Sequence, residues 1–280
     1  MIRLITFLQK ITSKLSFFFD RVSKRFAKAS LEFNTMKYHM KFGERDSDIY
    51  VVTYPKSGTT LMQMLVYQLT TDGNTDFKHL YDVSPWTDND AYLDLDPPEL
   101  PSPRIIKSHR TNKKFDKAMK GKFIIVIRDV YDVMVSQYHQ NKNFNDPDLD
   151  FDDFFDDFIS KEDNWFLHTK DWIENKKRLP VLYVDYAALL NDFETQVKRI
   201  SEYIGCELNE EILLRTKEKC SFSFMKTHED KFGERHDVRK KNGVYDQFIR
   251  KGKVGEGISY FSSSQRIRIE ELLRENKIVK

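Results

Sequence analysis

One segment, residues 49–60 (IYVVTYPKSGTT), constrains the fold of this chain more than any other. It begins as an apolar run typical of a buried strand, continues through small and polar residues, and leads into apolar residues with helical spacing. The first turn of a helix attracts an anion, because its N–H groups lack intrahelical partners and the helix dipole is positive there. The segment therefore predicts a strand–turn–helix unit with an anion site, and Lys56 adds positive charge at its mouth.

The turn differs from the P-loop of ordinary nucleotide-binding proteins. That loop has the pattern G-x-x-x-x-G-K-[ST], in which Lys follows the second Gly. Here Lys56 precedes Gly58, and no Gly occupies the first position. Taken alone, the segment could equally be a capped helix after a strand, with Lys56 exposed.

Composition limits the class of protein. The chain has 280 residues with 40% hydrophobic content, which is enough for one α/β domain with a full core. The net charge of +2 predicts no general nucleic-acid-binding surface. Two cysteines, Cys206 and Cys220, are too few for a disulfide framework and predict a reducing, cytoplasmic location. No apolar run approaches the length of a membrane-spanning helix.

The N-terminal residues differ from the rest. We predict a basic amphipathic helix or extension over residues 1–36, followed by a single domain over residues 37–280. Seven Lys and Arg residues accompany one acidic residue in the first 31 positions, and apolar residues recur every three or four positions from Leu4 to Phe26. Three interpretations stay open: the helix docks on the protein's own surface, residues 1–30 contact a membrane peripherally, or the segment serves targeting.

Strand and helix patterns alternate along the chain after the anion turn. Strands are predicted at 49–52, 104–107, 122–127 and 179–184, and helices at 59–71, 130–142, 164–177 and 193–204. The segment 72–103 is predicted to be mostly loop, with room for a short helix. This alternation predicts an α/β fold with a P-loop-like parallel sheet and helices on both faces. Ligands of such sheets bind at the carboxyl ends of the strands, where the Lys56, His109 and Arg128 motifs fall.

No metal site is predicted. Seven Asp residues lie between positions 146 and 157, but their spacing lacks the central Gly and terminal Glu of an EF-hand. Phe residues at i, i+3, i+4 and i+7 from Phe151 instead predict an amphipathic helix with an acidic solvent face. No Cys/His cluster has the spacing of a zinc site.

Four motifs in order carry a resemblance to a known family. They are YPKSGTT at 54–60, IIKSHR at 105–110, IIVIRDVYDVMVSQYH at 124–139 and IRKGKVGEG at 249–257. Together they resemble the cytosolic-type sulfotransferases that use 3′-phosphoadenosine 5′-phosphosulfate (PAPS). The resemblance extends over most of the chain.

The resemblance implies an enzyme that transfers the sulfuryl group of PAPS to a hydroxyl or amine of a small, apolar or lipid-like acceptor. It implies that His109 is the general base, a role that suits a neutral imidazole near pH 7. Lys107 would contact the transferring group, and Lys56 would neutralise charge on the leaving oxygen. Sulfuryl transfer resembles phosphoryl transfer but involves less charge, so no metal is expected. The acceptor pocket is expected among 72–103, 140–168 and 225–247.

The resemblance also implies the residues that hold the donor. The 5′ side would be bound by Lys56, Ser57, Gly58, Thr59 and Thr60. The 3′-phosphate would be bound by Arg128, Ser136, Arg250, Lys251 and Gly252, because Arg forks onto phosphate oxygens and Gly lets the backbone approach them. The adenosine would contact Tyr186, Ser221, Phe222 and Phe248.

The chain departs from the family pattern in several places. Leu61 stands where the family commonly has Trp, and Asp129 where Asn is common. The family pattern R-K-G-x-x-G-D-W ends here as Glu256-Gly257, and the usual dimer segment is not matched near Ile258. These departures indicate a divergent, bacterial-like member and leave the oligomeric state open.

Two other classes of function stay open from the sequence. One is a P-loop phosphotransferase that uses ATP, although Arg128 stands where such enzymes often have a magnesium-binding Asp. The other is a non-catalytic, membrane-docked nucleotide-binding protein, although Lys56, Lys107 and His109 are all in place.

Overall fold

The computed structural model describes residues 29–233 and 248–278, together with five residues between 19 and 26. The chain divides into two compact units, Met1–Gly43 with Thr87–Pro98, and Glu44–Trp86 with Glu99–Lys280. Most of the predicted basic amphipathic segment, and part of the predicted acceptor loop at 225–247, lie outside the described residues. The division at residue 36 stays a prediction.

The second unit is built on a parallel sheet. Its strands are β1 (Ile49–Thr53), β2 (Ile105–Ser108), β3 (Lys122–Ile127) and β4 (Val181–Asp185), in the order β2-β1-β3-β4. All three neighbouring pairs are parallel. The described helices of this unit are α2 (Thr59–Thr70), α4 (Val130–Phe144), α5 (Phe151–Ser160), α6 (Trp165–Glu174), α7 (Tyr186–Asn191), α8 (Phe193–Ile204), α9 (Glu210–Lys219), α10 (Phe222–Thr227) and α11 (Ser263–Glu275). The predicted α/β fold is confirmed.

Successive side chains of a strand point to opposite faces of the sheet, so both faces here carry apolar side chains. Helices cover both faces and bury these side chains. On one face, apolar side chains of β1 and β3 pack against α2 and α8 in a buried cluster that includes Val51 and Met62. On the other face, the ring of Tyr50 stacks on Phe123 with centroids 4.6 Å apart. Trp172 of α6 lies 6.2 Å from the Phe123 ring and closes that side. The strands β1 and β3 are buried on both faces, which explains why their sequences are nearly continuous apolar runs.

The first unit contains α1 (residues 29–42) and the short helix α3 (Thr87–Tyr92). Tyr38 and Phe42 of α1 are buried, and their rings stack with centroids 5.8 Å apart. The Tyr38 hydroxyl donates a hydrogen bond to Asp90 of α3 at 3.3 Å. Among the described residues, none forms a helix of the length and apolar character that a membrane crossing needs.

Local capping sets the helix bounds. The helix predicted at 164–177 is shorter, since the Asn164 side chain accepts from the Leu167 N–H at 3.0 Å and fixes the start at Trp165. The helix α8 ends as predicted at Gly205, which has a φ of 75° in the left-handed region that glycine favours. The acidic segment forms α5 with its Phe side chains buried, as the periodicity predicts. The segment 72–103 holds only α3 and a single 3-10 turn among its loops.

Candidate active site

A cavity of about 470 Å³ lies at the carboxyl ends of the strands. Its lining includes Lys56 just after β1, His109 just after β2, Arg128 just after β3, and Tyr186 just after β4. The parallel sheet thus brings together residues that are far apart in the chain, at the edge where sheets of this kind bind ligands.

The turn between β1 and α2 leaves several hydrogen-bond donors available. Lys56 and Gly58 both have positive φ angles, 66° and 96°. A side chain at Gly58 would lie 2.5 Å from the Tyr186 ring, so this position requires glycine on both grounds. The helix α2 has no side-chain N-cap, which leaves the N–H groups of its first turn for another acceptor. The buried Ser57 hydroxyl has no hydrogen-bond partner among the described residues.

The tautomer of His109 is set by the end of β1. Its Nδ1 lies 2.8 Å from the carbonyl oxygen of Thr53, an atom that can only accept. Nδ1 therefore carries the proton, and Nε2 of the neutral ring carries the lone pair. The Thr53 hydroxyl in turn lies 2.6 Å from the hydroxyl of Thr59, which ties this carbonyl to the start of α2.

The charge state of His109 follows from its surroundings. Burial lowers the pKa of the imidazole well below its ordinary value, and the nearby ammonium groups of Lys107 and Lys56 lower it further. The hydrogen bond to Thr53 opposes these effects. Burial and like charge together favour the neutral ring. The edge of the Trp86 ring packs against the imidazole, with centroids 5.2 Å apart.

Lys107 is a buried cation that aromatic groups hold in place. Its Nζ donates to the Tyr81 hydroxyl at 2.6 Å. The same nitrogen lies 3.8 Å from the centroid of the Trp86 ring and 4.8 Å from that of Tyr81. Cation–π contact and hydrogen bonding offset part of the cost of burying this charge.

Arg128 connects the anion turn to the segment that carries R-K-G. Its guanidinium lies 4.7 Å above the Tyr186 ring, and Nη1 donates to the Lys56 carbonyl at 3.0 Å. Nη2 donates to the Lys253 carbonyl at 3.3 Å. The buried Nε has no hydrogen-bond partner among the described residues. The Tyr186 ring and the two carbonyl acceptors therefore hold the Arg128 guanidinium in place at the edge of the cavity.

Asp132 is a residue of this site that the sequence analysis missed. Its two carboxylate oxygens accept from the N–H groups of Gly255 and Gly257, each at 2.9 Å. One oxygen also lies 3.8 Å from Nη2 of Arg128, one helical turn earlier. Asp132 thus anchors the segment that follows R-K-G. The only signal in the sequence was its i, i+4 spacing from Arg128.

The structure places nearly all predicted site residues around the cavity. Those that line it are Lys56, Gly58, Thr59, Thr60, Lys107, His109, Arg128, Ser136, Tyr186, Phe222, Phe248, Arg250, Lys251 and Gly252. Ser57 and Ser221 do not line it. The Ser221 hydroxyl instead caps α10 by accepting from the Phe224 N–H at 3.1 Å.

Further lining residues come from the regions where the acceptor pocket is expected. Tyr81 and Trp86 come from the segment 72–103, and Gln140 and Met225 from the other two regions. Leu61, which stands in place of the family's Trp, also lines the cavity. Within the described ranges, no group of three His, Cys, Asp or Glu side chains could hold a metal ion. The expectation that the reaction needs no metal stays a prediction.

Comparison with known proteins decides the family. The family model of the sulfotransferase domain matches residues 46–277, which include every motif described above. The chain belongs to the sulfotransferase family. This sulfotransferase is 32% identical to Sulfotransferase 2B1 of Mus musculus, over 82% of this chain and 71% of that protein. It is 29% identical to Sulfotransferase 1C2 of Oryctolagus cuniculus, over 84% of each chain.

Solved structures agree with this sulfotransferase in fold. Retinol dehydratase in complex with androsterone and the inactive cofactor PAP has a TM-score of 0.71 at 22% identity, over 86% of this chain and 84% of that one. Mouse sulfotransferase SULT7A1 complexed with PAP has a TM-score of 0.66 at 22% identity, over 88% and 90% of the two chains. Family membership favours a sulfotransferase over the ATP-dependent phosphotransferase and the non-catalytic protein that the sequence left open.

Proposed function

We propose that this sulfotransferase transfers the sulfuryl group of PAPS to a hydroxyl or amine of a small, apolar acceptor. The observation that carries the proposal is that Lys56, Lys107, Arg128 and Arg250 line the same cavity as His109. Several cations around one concave site favour a ligand with more than one anionic group. PAPS has such groups on both sides of its ribose.

The residues present fit a donor of this kind. The N–H groups at the start of α2 would hold the 5′ side, since that helix has no side-chain N-cap. Arg128 and Arg250, which both line the cavity, would hold the 3′-phosphate. Tyr186 and Phe222 offer ring faces to the adenine, because stacking on aromatic side chains suits any base.

The chemistry assigned to the chain is proton transfer and charge stabilisation. His109 Nε2 would accept the proton of the acceptor hydroxyl as its oxygen forms a bond to sulfur. The bond from sulfur to the 5′-phosphate oxygen breaks in the same step, and Lys56 would neutralise the charge on that oxygen. Lys107 would stabilise the sulfuryl oxygens, and its contacts with Tyr81 and Trp86 hold its ammonium group in position.

The acceptor class is proposed from the lining of the cavity. Tyr81, Trp86, Met225 and Phe248 give it an aromatic and apolar wall. Such a wall favours phenols, sterols and other apolar alcohols. Structures of retinol dehydratase, a neighbour in fold, contain androsterone or retinol. Screening labelled PAPS against pools of lipids, steroids and phenols would identify the acceptor.

A binding titration tests the donor assignment. Adenosine 3′,5′-bisphosphate (PAP) should bind far more tightly than AMP, because only PAP has the 3′-phosphate. Arg128→Ala should weaken PAP binding about ten- to a hundredfold, the scale of one charge-assisted contact, and should change AMP binding little. Arg274→Ala, on an exposed position of α11, is the control and should change neither. Equal affinities of the native protein for PAP and AMP would overturn the assignment.

A further inference from the structure

The helix α1 has two apolar faces, and one of them is exposed. Tyr38 lies on the buried face. On the opposite face, the residues Phe33, Met36 and Met40 are 67%, 55% and 76% exposed. Their i, i+3, i+7 spacing places them in one row along the helix.

This row is larger than the ordinary scatter of apolar residues on a protein surface. Single exposed apolar side chains are common, whereas several adjacent ones mark an interaction surface. We refer to Phe33, Met36 and Met40 as the exposed row. Keeping such residues in water is costly, so the exposed row indicates a binding partner with an apolar layer.

The charge of the N-terminal residues indicates which kind of partner the exposed row binds. Nine Lys and Arg residues accompany only two acidic residues in the first 43 positions. Two of the nine, Lys37 and Lys41, form ion pairs with Asp94 and Asp96 within the same unit. The other seven, from Arg3 to Lys28, all precede α1 in the sequence and leave it with a positive excess. A second copy of this chain would bring the same positive charge against itself in a two-fold interface, which disfavours it.

We propose that the exposed row docks on an anionic lipid surface. Amphipathic helices with a basic flank and large apolar side chains lie in the plane of the headgroups and bury the apolar side chains among the acyl chains. Basic residues near an anionic leaflet add to this attraction, and long Lys side chains can reach the headgroups from the border of an apolar face. The contact is peripheral and is independent of the sulfuryl-transfer chemistry.

Vesicle co-sedimentation of the full chain tests the proposal. The native protein should bind phosphatidylcholine vesicles that contain phosphatidylserine, and should bind pure phosphatidylcholine weakly. The triple variant Phe33→Gln, Met36→Gln, Met40→Gln should lose at least about tenfold in vesicle affinity. Raising the salt from about 0.1 M to about 1 M, which shortens the Debye length from about 10 Å to about 3 Å, should release the native protein.

A matched control uses exposed apolar residues elsewhere. Leu214 and Ile267 are 59% and 60% exposed on α9 and α11. The double variant Leu214→Gln, Ile267→Gln should bind vesicles like the native protein. Both variants should keep the native melting temperature, because the substituted side chains are exposed. Light scattering after size exclusion is run in parallel to report the oligomeric state.

Two outcomes would overturn the proposal. The first is a native protein that ignores phosphatidylserine vesicles, or a triple variant that binds them as well as the native protein does. The second is a native dimer that the triple variant converts to a monomer without any vesicle binding, since a second copy of the chain would then cover the exposed row.

Discussion

The protonation state of His109 depends on its burial, on Lys107 of its own motif and on Thr53, which lies at the end of a different strand. The Thr53 carbonyl holds the proton on Nδ1, and burial together with Lys107 lowers the pKa of the ring. A base with a lowered pKa is deprotonated over a wider range of pH, although it is also intrinsically weaker. The cations that would stabilise the sulfuryl group therefore also keep the base in its neutral form.

The pH profile of turnover should reflect this lowered pKa. The neutral form of His109 persists at pH values above its pKa, so turnover should stay level from about pH 8 through about pH 6.5, the ordinary histidine value, and should fall only in more acidic solution. Lys107→Gln removes a cation and should move the acidic limb to higher pH, in addition to slowing the reaction. The profile is measured as single-turnover rate against pH with PAPS in excess. An acidic limb centred at or above about pH 6.5 in the native protein would contradict the account.

At the residue scale, the sequence predicted which residues line the cavity better than it predicted their protonation and hydrogen bonding. The order of motifs identified His109, Lys107 and Arg128 as neighbours. The tautomer of His109 could not be predicted, because it depends on a carbonyl at the end of a different strand. Ser221 was predicted to contact the adenosine, but the structure shows that its hydroxyl caps α10.

At the scale of elements, the segment after R-K-G depends on one carboxylate of α4. Asp132 accepts hydrogen bonds from the N–H groups of Gly255 and Gly257 in that segment. Gly257 can lie this close to α4 only because it has no side chain, since a Cβ there would be 2.5 Å from the Tyr131 backbone. Arg250, Lys251 and Gly252 directly precede this segment in the sequence. Contacts with α4 therefore help to set the position of R-K-G, together with the Ile249 N–H bond to Glu229 and the Arg128 bond to the Lys253 carbonyl.

Replacing Asp132 should weaken donor binding. Asp132→Ala leaves two N–H groups without their acceptor, so the R-K-G segment loses its anchor and PAP affinity should fall about ten- to a hundredfold. The rate at saturating PAPS should fall much less, because His109 and Lys107 lie on other elements. Binding is measured by calorimetric titration and rate by single turnover.

Asp129 provides the control for that experiment. Its side chain caps α4 by accepting from the Tyr131 N–H at 2.9 Å, three residues before Asp132. Asp129→Ala should cost about 1 kcal/mol of stability, the usual effect of losing an N-cap, with little change in PAP affinity. Unchanged PAP affinity in Asp132→Ala would show that the segment is held without this carboxylate.

The elements themselves were largely predictable. Buried parallel strands have continuous apolar sequences, and helices have apolar residues every three or four positions. The strand β3 and the helix α8 were therefore predicted with their observed bounds. Other bounds moved because capping side chains such as Asn164 decide where a helix begins. The helices α9 and α11 were not predicted, since each is mostly polar and buries few residues.

At the scale of the molecule, a buried histidine outside the cavity links stability to pH. His168 of α6 is 5% exposed, and burial lowers its pKa to about 4. In the unfolded chain its pKa returns to about 6.5. Between these values the unfolded state binds more protons than the folded state, so stability is lost as the pH falls from about 6.5 toward 4.

Replacing His168 should remove part of this pH dependence. Between pH 7 and about pH 4.5, the native protein should lose about 2–3 kcal/mol of unfolding free energy through His168 alone. His168→Gln does not titrate, so its own loss over the same range should be smaller by that amount. Urea unfolding at the two pH values measures both proteins. Equal losses would mean that His168 titrates normally in the folded state.

At the scale of the molecule, the sequence predicted the fold class and the location of the cavity. The motifs for sulfuryl transfer fall at strand ends, so the fold class and the location of the cavity followed together. The division into two units was not predictable, because residues 87–98 lie far along the chain from the first 43 residues with which they are grouped. The sequence indicated a basic amphipathic segment, but only the structure shows that α1 exposes a second apolar face.

We propose that His109 removes the acceptor proton during sulfuryl transfer from PAPS. The most direct measurement is single-turnover transfer of labelled sulfate from PAPS to an acceptor found in the phenol, steroid and lipid pools, for the native protein and His109→Ala, with PAP affinity measured on the same samples. His109→Ala should bind PAP like the native protein and should transfer sulfate roughly two to four orders of magnitude more slowly, the usual loss when a general base is removed. Native-like transfer by His109→Ala, with PAP still bound, would contradict it.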